Sequence, residues 1–272
     1  VTALATDEAR AVLERAGRQP DDRIDLAGTA LALAALDRPR VRLGWYREHL
    51  DALAAGVAAE ARRGPPALTE VIAGRYGYAG DTRTYDDLQN ANLMRVIDRR
   101  RGLPVALGIL YIHAARAQGW AAAGLSFPQH FLVRVAAGAG PAILDPFHGG
   151  HAVGPAELRA LLKGIAGPAA ELRPDHYAPV GDRDVLLRLQ NNIKLRLLQE
   201  DRAPEAAETL GAMLTIAPEH AALWREAGII NARIGNPGAA IAALERFLAL
   251  GRDERLLHEA AVLLQHLKAN LH

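Results

Sequence analysis

The chain is 272 residues long and 50% hydrophobic, more than one ordinary core needs, which predicts roughly two domains or one domain with a repeat extension and excludes disorder. Lys plus Arg number 32 against 31 Asp plus Glu, a net charge of +1, so no general basic field exists to hold a nucleic acid through its phosphates. There is no cysteine, which excludes disulfides, thiolate metal sites and any cysteine nucleophile on this chain.

No window approaches the ~18 uninterrupted apolar residues of a membrane span. The segment Val1 to Arg18 carries Asp7, Glu8, Arg10, Glu14 and Arg15 among its alanines, unlike a signal peptide. A cytoplasmic protein rich in helix is the expectation. From Asp22 to Ala59 the apolar positions recur with helical spacing in two runs separated by Asp37-Arg38-Pro39-Arg40, which predicts a helical hairpin. Gly64-Pro65-Pro66 breaks the pattern, and Ala67 to Tyr76 reads as a further short helix. Leu88 to Arg100 reads as a helix with a basic end, Arg99-Arg100-Arg101, whose charges suit solvent at a helix C-terminus. Pro104 then falls at a first helical position, and Val105 to Gln118 is apolar nearly all round, the mark of a central helix buried on most sides.

Beyond Gly119 the period shortens to about two. Phe131 to Val135 reads as a strand and Ala142 to Asp145 as its hairpin partner across Gly138-Ala139-Gly140-Pro141. Ala156 to Leu162 predicts a short helix, and the proline-rich stretch from Gly167 to Pro179 a connector, with a boundary near Gly181. From Asp184 onward the pattern is helical, and a 34-residue period matches Gln190 with Trp224, Ala206 with Ala240 and Leu210 with Leu244. Two tetratricopeptide-like repeats and a terminal capping helix, Leu256 to Leu267, account for this region. The organisation expected is a helical N-terminal region (1–62), a core (63–180) and a repeat region (184–272).

Three blocks, Arg101-Gly-Leu-Pro-Val-Ala-Leu-Gly-Ile-Leu-Tyr111, Pro128-Gln-His-Phe-Leu-Val-Arg134 and Ile143-Leu-Asp-Pro-Phe-His-Gly-Gly150, with Asn90-Ala-Asn-Leu93 before them and the C-terminal repeats after them, resemble the bacterial Sir B family of transglutaminase-like proteins. The resemblance implies an α+β fold: a helical N-terminal bundle, a transglutaminase-like, papain-like core with a small antiparallel sheet, and an all-α tetratricopeptide-like region. In active members of that superfamily a cysteine at the start of the central helix attacks an acyl carbon, a histidine takes its proton, and an aspartate orients the histidine. Block by block, His130 falls on the histidine position, Asp145 on the aspartate position and Pro104 on the nucleophile position. Proline supplies neither an attacking atom nor a backbone N–H, and Ala106 is equally inert. Ser126, on the loop before His130, is the one hydroxyl that could replace the thiol, although a serine between glycine and proline usually serves a turn.

The implied function is therefore non-catalytic: protein or peptide binding, with a regulatory role, no cofactor, no nucleic acid and no membrane partner. The competing class is a hydrolase or acyl-transfer-related enzyme in which His130 and Asp145 activate water, alone or with a metal held also by His148 and His151. Imidazoles and a carboxylate are the ligand types for such an ion, but glycine-flanked histidines give no helical face to align them. Asn191, Lys194 and Asn231 are the candidate peptide contacts of the repeat region. Asn90 and Asn92 read as loop-holding residues, and Trp45, Trp120 and Trp224 as core or repeat-packing residues.

Overall fold

The computed structural model describes residues 2–138 and 140–270; Ala139, in the turn expected between the two strands, lies outside them. The chain forms two compact units, Val1–Val12 with Gln19–Leu189, and Leu13–Arg18 with Gln190–His272. Helix α1 (Thr2–Arg18) contributes to both.

In the first unit, α2 (Leu26–Asp37) starts where the Asp25 carboxylate accepts a hydrogen bond from the Gly28 amide at 3.0 Å, an N-cap that contributes about 1 kcal/mol. It buries almost every position from Leu26 to Ala35, whereas α3 (Gly44–Ala59) buries one face, Tyr46, His49, Leu50, Leu53 and Val57. Both expected helices are thus present, but their main contacts are with other helices rather than with each other, so they do not form a closely packed hairpin. The short helix expected over Ala67 to Tyr76 is instead a single turn, α4 (Pro66–Leu68), followed by a π-helical segment, Thr69–Arg75, in which the Tyr76 amide reaches back to the Val71 carbonyl.

The helix expected over Leu88 to Arg100 is shorter. A 3-10 turn (Leu88–Ala91) precedes α5 (Leu93–Arg99), because the Asn92 side chain accepts from the Arg95 amide and caps a new start. Arg100 closes α5 in a left-handed conformation, φ 58°. A short parallel pair follows, β1 (Ala79–Gly80) with β2 (Arg101–Gly102).

Helix α6 (Pro104–Arg116) is the central helix, and its Val105, Leu107, Ile109, Leu110 and Ile112 are each exposed by 2% or less. Burying each such side chain stabilises the fold by roughly 1.5–3 kcal/mol. Gly108 lets the chain beyond the helix come close: a Cβ there would lie 2.4 Å from the Phe131 ring. The sheet packed on this helix is antiparallel, in the order β3 (Ala121–Gly124), β4 (Val133–Ala137), β5 (Gly140–Asp145) and β6 (His151–Ala152). Val133 pairs with Leu144, and Asp145 with His151. The strand expected from Phe131 therefore begins two residues later. Helix α7 (Pro155–Ala166) packs Leu158 and Leu162 against Leu125, Phe127, Leu132 and Val153, and the connector beyond it is irregular except for a 3-10 turn, Pro174–Tyr177.

Helix α8 (Asp182–Gln199) begins in this unit, with its first amides, Asp182 and Arg183, donating to the Asp21 carboxylate at 2.8 Å each. The second unit comprises the end of α8, α9 (Ala203–Ile216), α10 (Ala221–Arg233), α11 (Pro237–Leu250) and α12 (Glu254–Ala269). The positions matched by the 34-residue period, Ala206 with Ala240 and Leu210 with Leu244, are all buried to 1% exposure or less, as the helix–helix contacts of stacked repeats require. The fold is α+β with a helical repeat region. Two further expectations, about side-chain environment, fail. Trp45 is not core but 52% exposed, its ring stacked on His49. Arg99-Arg100-Arg101 is not simply a solvated end: Arg99 donates to Asn90 and Asp81, Arg100 to the Tyr78 hydroxyl, and Arg101 to the Gly77 carbonyl.

Candidate functional site

The site is assembled by three neighbouring pieces of chain around one carboxylate. Asp145 ends β5 and is 1% exposed. The turn that follows folds back on it, so that Asp145 Oδ1 accepts from the amides of Phe147 at 3.0 Å and His148 at 3.3 Å, an Asx-type arrangement. Its other oxygen, Oδ2, contacts two imidazoles: His130 Nε2 at 2.8 Å and His148 Nδ1 at 2.8 Å. The rings lie stacked with centroids 5.9 Å apart. Burial pushes the Asp145 pKa up, but the hydrogen bonds from His130 and His148 outweigh it and hold the group at about 2.

His130 precedes the strand. It lies in the turn before β4, next to Gln129 in a left-handed conformation, φ 51°. Phe127 and Phe131, each 1% exposed, anchor that turn at both ends, and Arg188 donates to the His130 carbonyl at 2.8 Å. The loop carrying His148 is pinned at its far end. Gly149 and Gly150 both have φ 74°, the Gly150 amide donates to the Asp145 carbonyl at 2.6 Å, and the Thr69 hydroxyl donates to the Gly150 carbonyl at 2.5 Å. A Cβ on Gly150 would sit 2.2 Å from the Tyr111 hydroxyl. That hydroxyl, projecting from α6, is buried and has no hydrogen-bond partner among the described residues; burial and the Asp145 charge both raise its pKa. In the sequence Tyr111 has no signal beyond a phenol among the apolar residues of the first three turns of α6.

His130, Asp145 and His148 come together, with one donor atom from each lying within 4.8 Å of the others. His151 does not join them. Its Nε2 pairs with Glu157 of α7 at 2.7 Å, which raises its pKa, and it is exposed. Pro104 is buried at the first position of α6. Ser126 is exposed on its loop, its amide given to the Ala178 carbonyl, and no hydrogen bond joins its hydroxyl to His130 among the described residues. The two asparagines hold the chain as expected: Asn90 donates to the Thr84 carbonyl at 2.6 Å and Asn92 to the Ala34 carbonyl at 3.2 Å.

Comparison with known proteins shows which family the chain is similar to. Residues 44–191 match the model of the transglutaminase-like superfamily, which covers more than half of the chain and includes Pro104, His130, Asp145 and His148. The chain belongs to the transglutaminase-like superfamily. A tetratricopeptide-repeat model matches residues 193–265. Among curated relatives, a protein of Vibrio cholerae named UPF0162 protein is 31% identical, over 84% of this chain and 86% of its own. A Xylella fastidiosa protein of the same name is 28% identical over 85% of each chain. Protein SirB1 of Salmonella typhimurium is 26% identical over 66% of this chain and 67% of its own. No solved structure matches the chain significantly. Among the described residues no helix is long and apolar enough to cross a membrane.

In the repeat region the three candidate peptide contacts differ in what they already do. Lys194 is 3% exposed and its ammonium is ion-paired with Glu226 of α10. Asn231 donates to the Ala227 carbonyl of its own helix at 2.8 Å. Asn191 is half-buried on α8.

Proposed function

We propose that this protein is a non-catalytic member of its superfamily that binds a protein or peptide partner in the cytoplasm, in a regulatory capacity. The observation that carries the reading is Pro104. A residue with no nucleophilic atom and no N–H stands at the first position of the buried central helix, in a chain without cysteine. His130 and Asp145, which the resemblance places at the histidine and aspartate positions of the acyl-transfer apparatus, are bonded to each other, and Asp145 also to His148, rather than to a nucleophile. The tetratricopeptide-repeat match supplies the binding half of the reading, since stacked helical pairs of this kind present an extended surface to peptides. Asn191 and Asn231 are the proposed contacts for a peptide backbone, whereas Lys194 is assigned to the scaffold because its charge is already paired.

The test is a comparison of the full chain with its His130→Ala variant on amide and ester acyl donors with amine acceptors, products being read by mass spectrometry. Equal background rates are expected, together with saturable binding of extended peptides that weakens when Asn191 and Asn231 are replaced by alanine. Turnover abolished by His130→Ala would overturn the non-catalytic reading.

A further inference from the structure

Two imidazoles meeting one oxygen of a buried carboxylate is more than a buried charge requires. Asp145 Oδ1 is already satisfied by two backbone amides, and one ring would have sufficed for Oδ2. The second ring is supplied by His148, whose side chain is 56% exposed and would be hydrated if it turned outward. It instead bends back on Asp145 and stacks over His130. The three donor atoms come from two segments held separately: His130 from the turn before β4, between its flanking phenylalanines, and Asp145 with His148 from the end of β5 and the turn that follows, which is closed by the amides on Oδ1 and at its far end by Gly150 against Tyr111. At the foot of this loop the Tyr111 hydroxyl is buried without a hydrogen-bond partner among the described residues.

We propose that His130 Nε2, Asp145 Oδ2 and His148 Nδ1 form a three-ligand site for a divalent transition-metal ion of the zinc type, with its remaining coordination open on the side of exposed His148. The donor chemistry selects the ion. Two neutral imidazoles and one carboxylate suit zinc and its neighbours and are poor partners for calcium or magnesium, which take oxygen. The spacing is near that of a site: ligands at about 2.0–2.1 Å from such an ion stand roughly 3–4 Å from one another, both nitrogens lie 2.8 Å from Oδ2 and all three atoms lie within 4.8 Å of one another, so that a small rotation of the exposed His148 ring completes the set. Binding requires each ring to offer a lone pair where it now faces Asp145, so the ring proton moves to the opposite nitrogen and the imidazoles stay neutral. His151, paired with Glu157, lies outside the set. The inference goes beyond the binding role above: the ion would lock the loop between β5 and β6 and leave an open position for water or an oxygen donor.

The experiment uses the full chain without a histidine tag, stripped with chelator and titrated with zinc chloride against a chromogenic competitor, with bound metal counted after desalting. One equivalent is expected in the wild type. His148→Ala removes an exposed side chain and so tests the site without threatening the fold; it should weaken binding more than tenfold, because loss of residues that merely support a ligand already costs about 10–100-fold. His130→Ala should do the same, and His151→Ala should bind like the wild type. Zinc well below one equivalent in the wild type, binding by His148→Ala within twofold of it, or a loss in His151→Ala equal to that in His148→Ala would each overturn the proposal.

Discussion

Replacing Gly150 by alanine tests how the candidate site is held. The new Cβ would lie 2.2 Å from the Tyr111 hydroxyl oxygen and 2.6 and 2.7 Å from two ring carbons, and Tyr111 is fully buried on the central helix. Gly150 also has φ 74°, where an L side chain costs about 1–2 kcal/mol. Overpacking a rigid site adds about 1–3 kcal/mol. The expected loss is therefore about 2–5 kcal/mol, read by urea unfolding with tryptophan fluorescence. Tyr111→Phe alone removes a buried hydroxyl that has no partner, so it should leave stability unchanged or raise it by about 1 kcal/mol. In the double variant the closest atom is gone while the ring carbons remain, so part of the loss should be recovered, with a coupling of about 1 kcal/mol. If Gly150→Ala unfolds within about 0.5 kcal/mol of the wild type, or if Tyr111→Phe costs more than about 1 kcal/mol, the close approach and the unpartnered hydroxyl are wrong.

Three further outcomes follow from other parts of the structure. His49 is held at a pKa of about 4 by burial and by the Arg100 charge, below its ordinary 6.5. The unfolded chain therefore binds this proton first as pH falls, and stability should drop by about 2 kcal/mol between pH 6.5 and 4, after allowing for screening; His49→Gln should flatten that part of the pH–stability curve. Lys194 is buried while its partner Glu226 is 41% exposed. Lys194→Met should cost less than about 1 kcal/mol, since Glu226 can return to water, whereas Glu226→Gln strands a buried ammonium and should cost about 2–3 kcal/mol, both by chemical denaturation. Arg99 joins Asp81 at 2.8 Å and Asn90 at 2.9 Å, so Arg99→Ala should cost about 1–3 kcal/mol by the same measurement, with Asp81 still bonded to Thr84 and Arg83.

Much of the fold is written in periodicity. Pro104 marks the start of α6, the two apolar runs before it give α2 and α3, and the 34-residue repeat places Ala206 and Ala240 in equivalent buried positions. The π-helical turn over Thr69–Arg75 was illegible, because within seven residues its wider winding leaves the same apolar pattern as an α-helix. The site was half legible. The block resemblance singled out His130 and Asp145, which are hydrogen-bonded in the structure, but which of His148 and His151 would turn inward depends on two left-handed glycines and on Glu157, six residues beyond His151, and neither leaves a periodic trace. Trp45 and the Arg99-Arg100-Arg101 run were misread for a common reason: composition shows what a side chain prefers, while its neighbours decide what it gets. Asp81, Tyr78 and Gly77 lie 18 to 24 residues before the arginines that bind them.

An ionised carboxylate offers about four sites for incoming donors, and at Asp145 four groups fill them: two main-chain amides on one oxygen, two aromatic nitrogens on the other. The residue is saturated. A newcomer can gain access only by exchange: a cation displaces the ring protons that face Oδ2 and leaves both rings in place, whereas a water or a peptide side chain displaces a ring, and His148, the more exposed of the two histidines, is the one that can step aside at least cost.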